Sequence, residues 1–523
     1  MPVEHKVLAE DKTGGLTSIF SLLSYRAFNW FVGVLVVYVI VRGIVAASQK
    51  PFFFDEIITL AIASQANVRN IWNALVQSVD SHPPLFYLVE RLSLAIFHNP
   101  KIALRMPSIL AFPCIAVCVF VYLRARCSAP VSFLCTVLLL LTSLFSNYAI
   151  NARGYSMVIA CIALALVSFQ RMPSPFWSVM LAISLALAEA LHYYAIFSML
   201  PFAMAEAFYF LRHRKFRWQV WVALAFGAVP LALCWHLLAS FRSYYGPHIW
   251  AHTGLSSIPA LYGYFFSVGS PFGFAVALMC AAGVIGARFL PGPESSVGIP
   301  NINDLAEGVL LLGLLFVPIT TLPLTKMLHG ILLDRYVLST ILGVVIAMAC
   351  VMSLARAQIV ALFAVFILSS IGVRELSFWR SAHDAQLDDP AASVEAFVQK
   401  AGYSNLPVVI SDGLLYLQVA HYGSPEWKNR FVYLLDEQKA VQYLGTDSID
   451  KNLVVLRQYM PLETEEFSEF GRAHNEFLLY VDDPRQGFNW LPEYLPTATS
   501  SMRVLGSDPS RKLYLVTMKK GLY

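Results

Sequence analysis

Through the first 373 positions, long apolar blocks alternate with short polar stretches, and then the rhythm changes. Blocks long enough to cross a bilayer, about 20 residues each, fall at 28–48, 106–123, 131–150, 155–170, 176–194, 195–211, 218–239, 261–289, 305–324, 336–355 and 357–373. The run HPPLFYLVERLSLAIFH at 82–98 is treated differently. Its polar residues Tyr87, Glu90, Arg91 and His98 recur near helical spacing and its apolar part is too short to cross, so it predicts a helix along the membrane surface. Pro83 and Pro84 suit its first turn, where a missing N–H costs nothing. Beyond 373, strand-like runs at 407–412, 431–436, 452–459, 476–482 and 512–518 alternate with the helix-like SVEAFVQKAG and EEFSEFGRAH. That alternation predicts a small soluble α/β domain. The expected fold is a polytopic α-helical membrane protein of about 11 spans. A tail covers 1–27, a membrane domain 28–373 includes a first loop at 49–105, and the α/β domain covers 374–523.

Composition supports the membrane assignment. The 523 residues are 57% hydrophobic and 13% charged, with a mean hydropathy of +0.61; soluble domains carry about 25% charged residues. A net charge of +4 without a long basic run points away from nucleic acid. The polar first 27 residues lack a cleavage pattern, so the first block is expected to be a retained signal anchor. All eight cysteines lie in or beside apolar blocks and none forms a CxxC, which argues against a disulfide framework or a thiolate metal site. With the N-terminus inside, Arg124, Arg126, Arg171, RHRKFR at 212–217, Arg288 and Arg356 all fall in cytoplasmic loops, as positive-inside topology requires. The 49–105 loop, the loops near 148–155, 192–195, 242–260 and 325–335, and the C-terminal domain then face the exoplasmic side, giving an N-in, C-out arrangement.

This topology collects costly residues at one membrane face. FFFDEIITL carries Asp55 and Glu56; His82 precedes Pro83–Pro84; Arg105 stands in ALRMPS and Arg153 with Tyr155 in NARGYS. LHYYA supplies His192, Tyr193 and Tyr194, and LTKMLHGILLDRYVLST supplies Lys326, His329, Asp334, Arg335 and Tyr336. Border charges in membrane proteins are functional candidates. Carboxylates suit a base or a metal, and guanidinium groups suit a phosphate. Duller roles compete: Arg374 and Arg242 as snorkelling side chains, Tyr193 and Tyr194 as interfacial belt residues, and Asp334–Arg335 as a local pair. Asp55 and Glu56 project about 100° apart on a helix, so one is expected to face a reacting group and the other to hold a cation such as Arg105.

The order of these features resembles the glycosyltransferase C superfamily. The likeness is to the branch with protein O-mannosyltransferases, the lipid A aminoarabinose transferase and lipopolysaccharide-core galacturonosyltransferases. It rests on Asp55–Glu56, HPPLFY at 82–87, RMPS at 105–108, ARGY at 152–155 and RY at 335–336, across roughly the first 340 residues. At 82 this chain has His, as in the mannosyl branch, where the aminoarabinose branch has Lys. The resemblance implies an inverting enzyme of the inner (plasma) membrane that moves a sugar from a polyprenyl-phosphate donor to a glycan or glycolipid hydroxyl, such as a lipopolysaccharide, at the exoplasmic face. Asp55 would be the general base with Glu56 beside it. Arg105, Arg153, Arg335, His82 and Lys326 would bind the donor phosphate, and Tyr155, His192, Tyr193 and Tyr336 would line the substrate chamber. No cofactor is expected. A divalent ion on Asp55, Glu56 and a His is a weaker alternative to metal-free catalysis. A lipid-linked glycan polymerase and a lipid or solute transporter are the competing classes; a transporter predicts matching halves, and no such repeat is visible.

Overall fold

The protein is described by a computed structural model covering residues 25–251, 253–266, 270–289, 305–327, 330–384, 389–482 and 488–519. Apolar helices dominate its first three-quarters. Among the described residues, four helices are long and apolar enough to cross a membrane, or up to six if each of two bent pairs forms one span. The four are Ala27–Gln49, Pro100–Arg124, Tyr193–His213 and Ala357–Ala382; shorter apolar helices include Tyr155–Gln170, Pro175–Leu191 and Ser339–Leu354. Each interval expected to cross holds an apolar helix or bent pair, though in five of them the helix has only 10–17 described residues. Several are broken. The 131–150 block passes from α-helix through a 3-10 turn at Leu139–Leu141 to a π turn at Leu144–Tyr148, an irregularity that often marks a functional region.

Two helices of the first loop shape the site: α1 (Phe54–Ala63) and α2 (Pro84–Ile96). Asp55 and Glu56 lie in the first turn of α1, where carboxylates meet the positive end of the helix dipole. The structure corrects the expected polar stripe of α2. Tyr87 and Glu90 are fully buried against the interior, Arg91 bonds the carbonyl of Ala66 at 3.1 Å, and only His98 is exposed.

The C-terminal part is a six-stranded sheet in the order β3-β2-β1-β4-β6-β5. Its strands are β1 (Val408–Ile410), β2 (Phe431–Leu435), β3 (Thr464–Glu466), β4 (Glu476–Asp482), β5 (Thr499–Ser507) and β6 (Arg511–Met518). The first four are parallel and the last two antiparallel. Every residue of β1 and β2 is buried, as expected for central strands covered on both faces. Among the flanking helices are α3 (Gly413–Tyr422) and α4 (Ser448–Leu456).

Two sequence expectations change here. The strand expected at 452–459 is instead the end of α4: Ile449, Leu453 and Leu456 recur at helical spacing and are buried. The last apolar helix runs from Ala357 to Asp384, past the boundary expected at 374. Arg374 does not snorkel. It donates to Glu375 Oε1 from Nε at 3.0 Å and Nη2 at 2.8 Å, while Glu375 Oε2 takes Arg42 Nε at 2.5 Å and Tyr38 Oη at 2.6 Å. This internal pairing lets the helix continue past its charges.

Candidate active site

Glu56 ties together three separate parts of the chain. Its carboxylate takes a bidentate fork from Arg105, Nε to Oε1 at 2.8 Å and Nη2 to Oε2 at 2.6 Å. Oε2 also accepts the Phe53 N–H at 3.0 Å, and Oε1 accepts the Ala152 N–H at 2.9 Å. Both side chains are buried. Burial alone would raise the Glu56 pKa, but the Arg105 guanidinium outweighs it and holds the carboxyl below its usual range.

Arg105 differs from its expected place among the phosphate ligands. Its remaining N–H groups donate to the carbonyls of Ala47 at 2.9 Å, Lys50 at 2.7 Å and Pro51 at 2.9 Å. All five guanidinium donors are therefore engaged within the protein. Arg105 fixes the chain leading into α1, and no donor is left for a phosphate. Glu56 is likewise occupied at both oxygens, which suits positioning.

Asp55 is half-buried, and its carboxylate has no hydrogen-bond or ion-pair partner among the described residues. Its charge is nonetheless felt by His82, Arg153 and Arg335. Arg153 reaches the Asp55 backbone carbonyl at 3.4 Å and Thr59 Oγ1 at 3.2 Å.

Arg153 is held by a residue the sequence reading missed. Asp80 grips it from two sides, Nη1 to Oδ2 at 2.5 Å and Nη2 to Oδ1 at 3.2 Å, and accepts the Tyr87 hydroxyl at 2.6 Å. Burial opposes the Asp80 charge, but Arg153 keeps its pKa well below the usual carboxylate range. The signal was present in DSHPP, where Asp80 stands two residues before His82. The Arg153 Nε remains buried without a partner.

His82 is buried, and neither ring nitrogen has a hydrogen bond; Nδ1 lies 3.7 Å from Asp80 Oδ1. Burial, then the Arg153 charge, pushes its pKa down to about 4, so the ring is neutral near pH 7. Around it stand His192 at 4.7 Å, Phe86 at 4.8 Å and Tyr155 at 5.8 Å between ring centroids. His192 also meets Tyr336 at 5.1 Å. Gly154 permits this crowding, since a Cβ there would stand 3.0 Å from the Leu191 carbonyl oxygen and 3.7 Å from the His82 ring.

Arg335 is half-buried beside Tyr336, with its Nε unpartnered and its guanidinium carbon 5.8 Å from the Tyr336 ring centroid. Asp334 does not pair with it; that carboxylate takes the Tyr148 hydroxyl. Two other expected residues stand apart. Lys326 is exposed at the end of the helix Val317–Met327. Tyr193 is buried with an unpartnered hydroxyl, while Tyr194 supplies the ring stacked on Tyr336 at 4.0 Å. His329 lies outside the described residues. Among the described residues, no group of three or more His, Cys, Asp and Glu side chains is arranged to hold a metal.

No protein-family model and no curated protein matches the chain. Solved structures do. ArnT from Cupriavidus metallidurans bound to undecaprenyl phosphate superposes with a TM-score of 0.54 at 15% identity. The match covers 94% of this chain and 98% of that one. The same protein in its apo state gives a TM-score of 0.44 at 12% identity over the same shares. The chain thus shares the fold of that protein along nearly its whole length.

Proposed function

We propose that the protein is a polytopic membrane glycosyltransferase that moves a sugar from a polyprenyl-phosphate donor to a hydroxyl of a glycan or glycolipid. One observation carries this reading: the Asp55 carboxylate, without a partner among the described residues, lies within electrostatic reach of Arg153, Arg335 and His82, each of which has a buried nitrogen with no partner, and Arg153 reaches the Asp55 carbonyl at 3.4 Å. An acceptor hydroxyl beside Asp55 and a departing phosphate beside the cations are what such a division of charge serves. The fold shared with a protein bound to undecaprenyl phosphate supports a lipid-phosphate donor.

In this reaction Asp55 takes the acceptor proton while the acceptor oxygen bonds to the anomeric carbon. The bond from that carbon to the phosphate oxygen breaks on the opposite face, inverting the centre, and its electron pair stays with the phosphate. The phosphodiester becomes a monoester with one more negative charge, which Arg335 and Arg153 stabilise. Neutral His82 donates one hydrogen bond to the phosphate. Tyr155, His192, Tyr194 and Tyr336 form the aromatic wall, and Asp80 holds Arg153 in place. We read eleven spans with the N-terminus inside from the basic loops, an arrangement in which the site and the α/β domain face the exoplasmic side of a bacterial-type inner membrane.

Arg335→Lys tests the phosphate assignment. Lysine keeps the charge but loses the planar fork, so the donor KM is expected to rise about tenfold. An unchanged donor KM removes Arg335 from the phosphate site. His82→Gln tests the histidine: because the native ring is uncharged above about pH 5, the variant should slow transfer without altering its pH profile between pH 5 and 8. A profile limb in that range that disappears with the ring would mean that His82 titrates during catalysis.

A further inference from the structure

The α/β domain reaches the site through one helix. Gln418 and Tyr422 stand four residues apart on α3 and so share a face. Gln418 Nε2 donates to the Phe52 carbonyl at 2.9 Å, and the Tyr422 hydroxyl accepts the Phe52 N–H at 2.7 Å. Both backbone groups of a residue three positions before Asp55 are thereby captured, as a neighbouring strand would capture them. A second grip comes from α4. Asn452 Nδ2 donates to the carbonyl of Val79 at 2.8 Å, immediately before Asp80.

These bonds fall on the two loop segments that carry the candidate chemistry. Phe52 is fully buried, with the Arg105 guanidinium 5.0 Å from its ring centroid and the His421 ring at 6.0 Å. The stretch from Ala47 to Phe53 is thus held by Arg105, by α3 and by Glu56, and little of its backbone can shift without breaking one of them. Other contacts of the same domain lie elsewhere: His248 Nδ1 stands 3.0 Å from Asp447 Oδ2.

We propose that the C-terminal α/β domain positions the transfer machinery, with Gln418 and Tyr422 aligning Asp55 through Phe52 and Asn452 aligning Asp80 through Val79. This rests on the reading of Asp55 as the base. Displacing a catalytic group by about 1 Å can cost about 100-fold in rate, so a clamp on its backbone bears on kcat more than on donor binding.

The experiment compares full-length variants in a transfer assay with purified polyprenyl-phosphate sugar. Gln418→Leu combined with Tyr422→Phe is expected to lower kcat by about 10- to 100-fold and to leave the donor KM within about twofold. Gln418→Lys keeps an N–H donor, one bond further out on a flexible stem, and is expected to retain most of the rate. His248→Ala loosens the domain at Asp447, which stays paired with Lys451, away from Phe52 and Val79, and is expected to match the unaltered protein. A normal kcat in the double variant overturns the proposal. So does an equal loss in all three variants, which would mean that docking of the domain, and not the clamp, is what matters. Asp55→Asn run in parallel separates the two ideas. If it is active while the double variant is slow, the base assignment fails and with it the alignment of Asp55, and only the hold of the domain on the Phe52 segment stands; if it is dead while the double variant is normal, the clamp fails alone.

Discussion

Asp55→Asn is expected to abolish sugar transfer, with a fall of about 100- to 10,000-fold set by the contribution of a general base. The amide matches the carboxylate in shape but cannot take the acceptor proton. No described residue bonds the Asp55 side chain, so the substitution orphans nothing and leaves expression, membrane insertion and unfolding temperature unchanged. Donor binding should survive as well, because the phosphate ligands are untouched. A variant that transfers sugar at the native rate ends the role of Asp55 as base and returns weight to the transporter class.

Arg105→Ala should fail in a different way. Removing the guanidinium strips two bonds from Glu56 and one from each of three carbonyls, and it leaves a buried carboxylate facing no cation. Breaking a buried pair from one side costs about 3–5 kcal/mol. Loss of folded protein is therefore expected, and an unfolding scan in detergent should show it before any kinetic assay does. Removing both partners will not rescue stability as it can for an isolated pair, because Glu56 also serves the Phe53 and Ala152 amides. A well-folded Arg105→Ala protein with weakened donor affinity alone would restore Arg105 to the phosphate site.

The contrast shows where sequence stops informing. Asp55, Glu56 and the series of short motifs were legible because charges at the ends of apolar blocks have few cheap explanations. The apolar helices were legible from length and polarity alone. The division of roles among the arginines was not, since it depends on which carbonyls surround each guanidinium. Arg105 and Arg153 look alike in sequence, yet Arg105 has every donor engaged and Arg153 retains a free Nε. Asp80 escaped notice as one carboxylate in a polar stretch, though it lies two residues from His82. Tyr194 replaces Tyr193 at the stack because the chain tightens to a 3-10 turn at Tyr193–Ala195, which shifts the helical phase. In the α/β domain, the polar edge strand β3 carried no alternating pattern, and NLVVLRQY misled because its helical partner Ile449 lies just before the run.

The clamp on Phe52 also has a meaning for how the molecule is made. Its two bonds join positions 370 and 366 residues apart. The base-bearing loop emerges from the ribosome early, while the helix that secures it is among the later parts of the chain. Nascent enzyme thus carries an unfinished active centre until its last portion has been delivered and folded. Chains arrested before Gly413 should be inserted yet inert, and sugar transfer should begin only once synthesis is nearly complete.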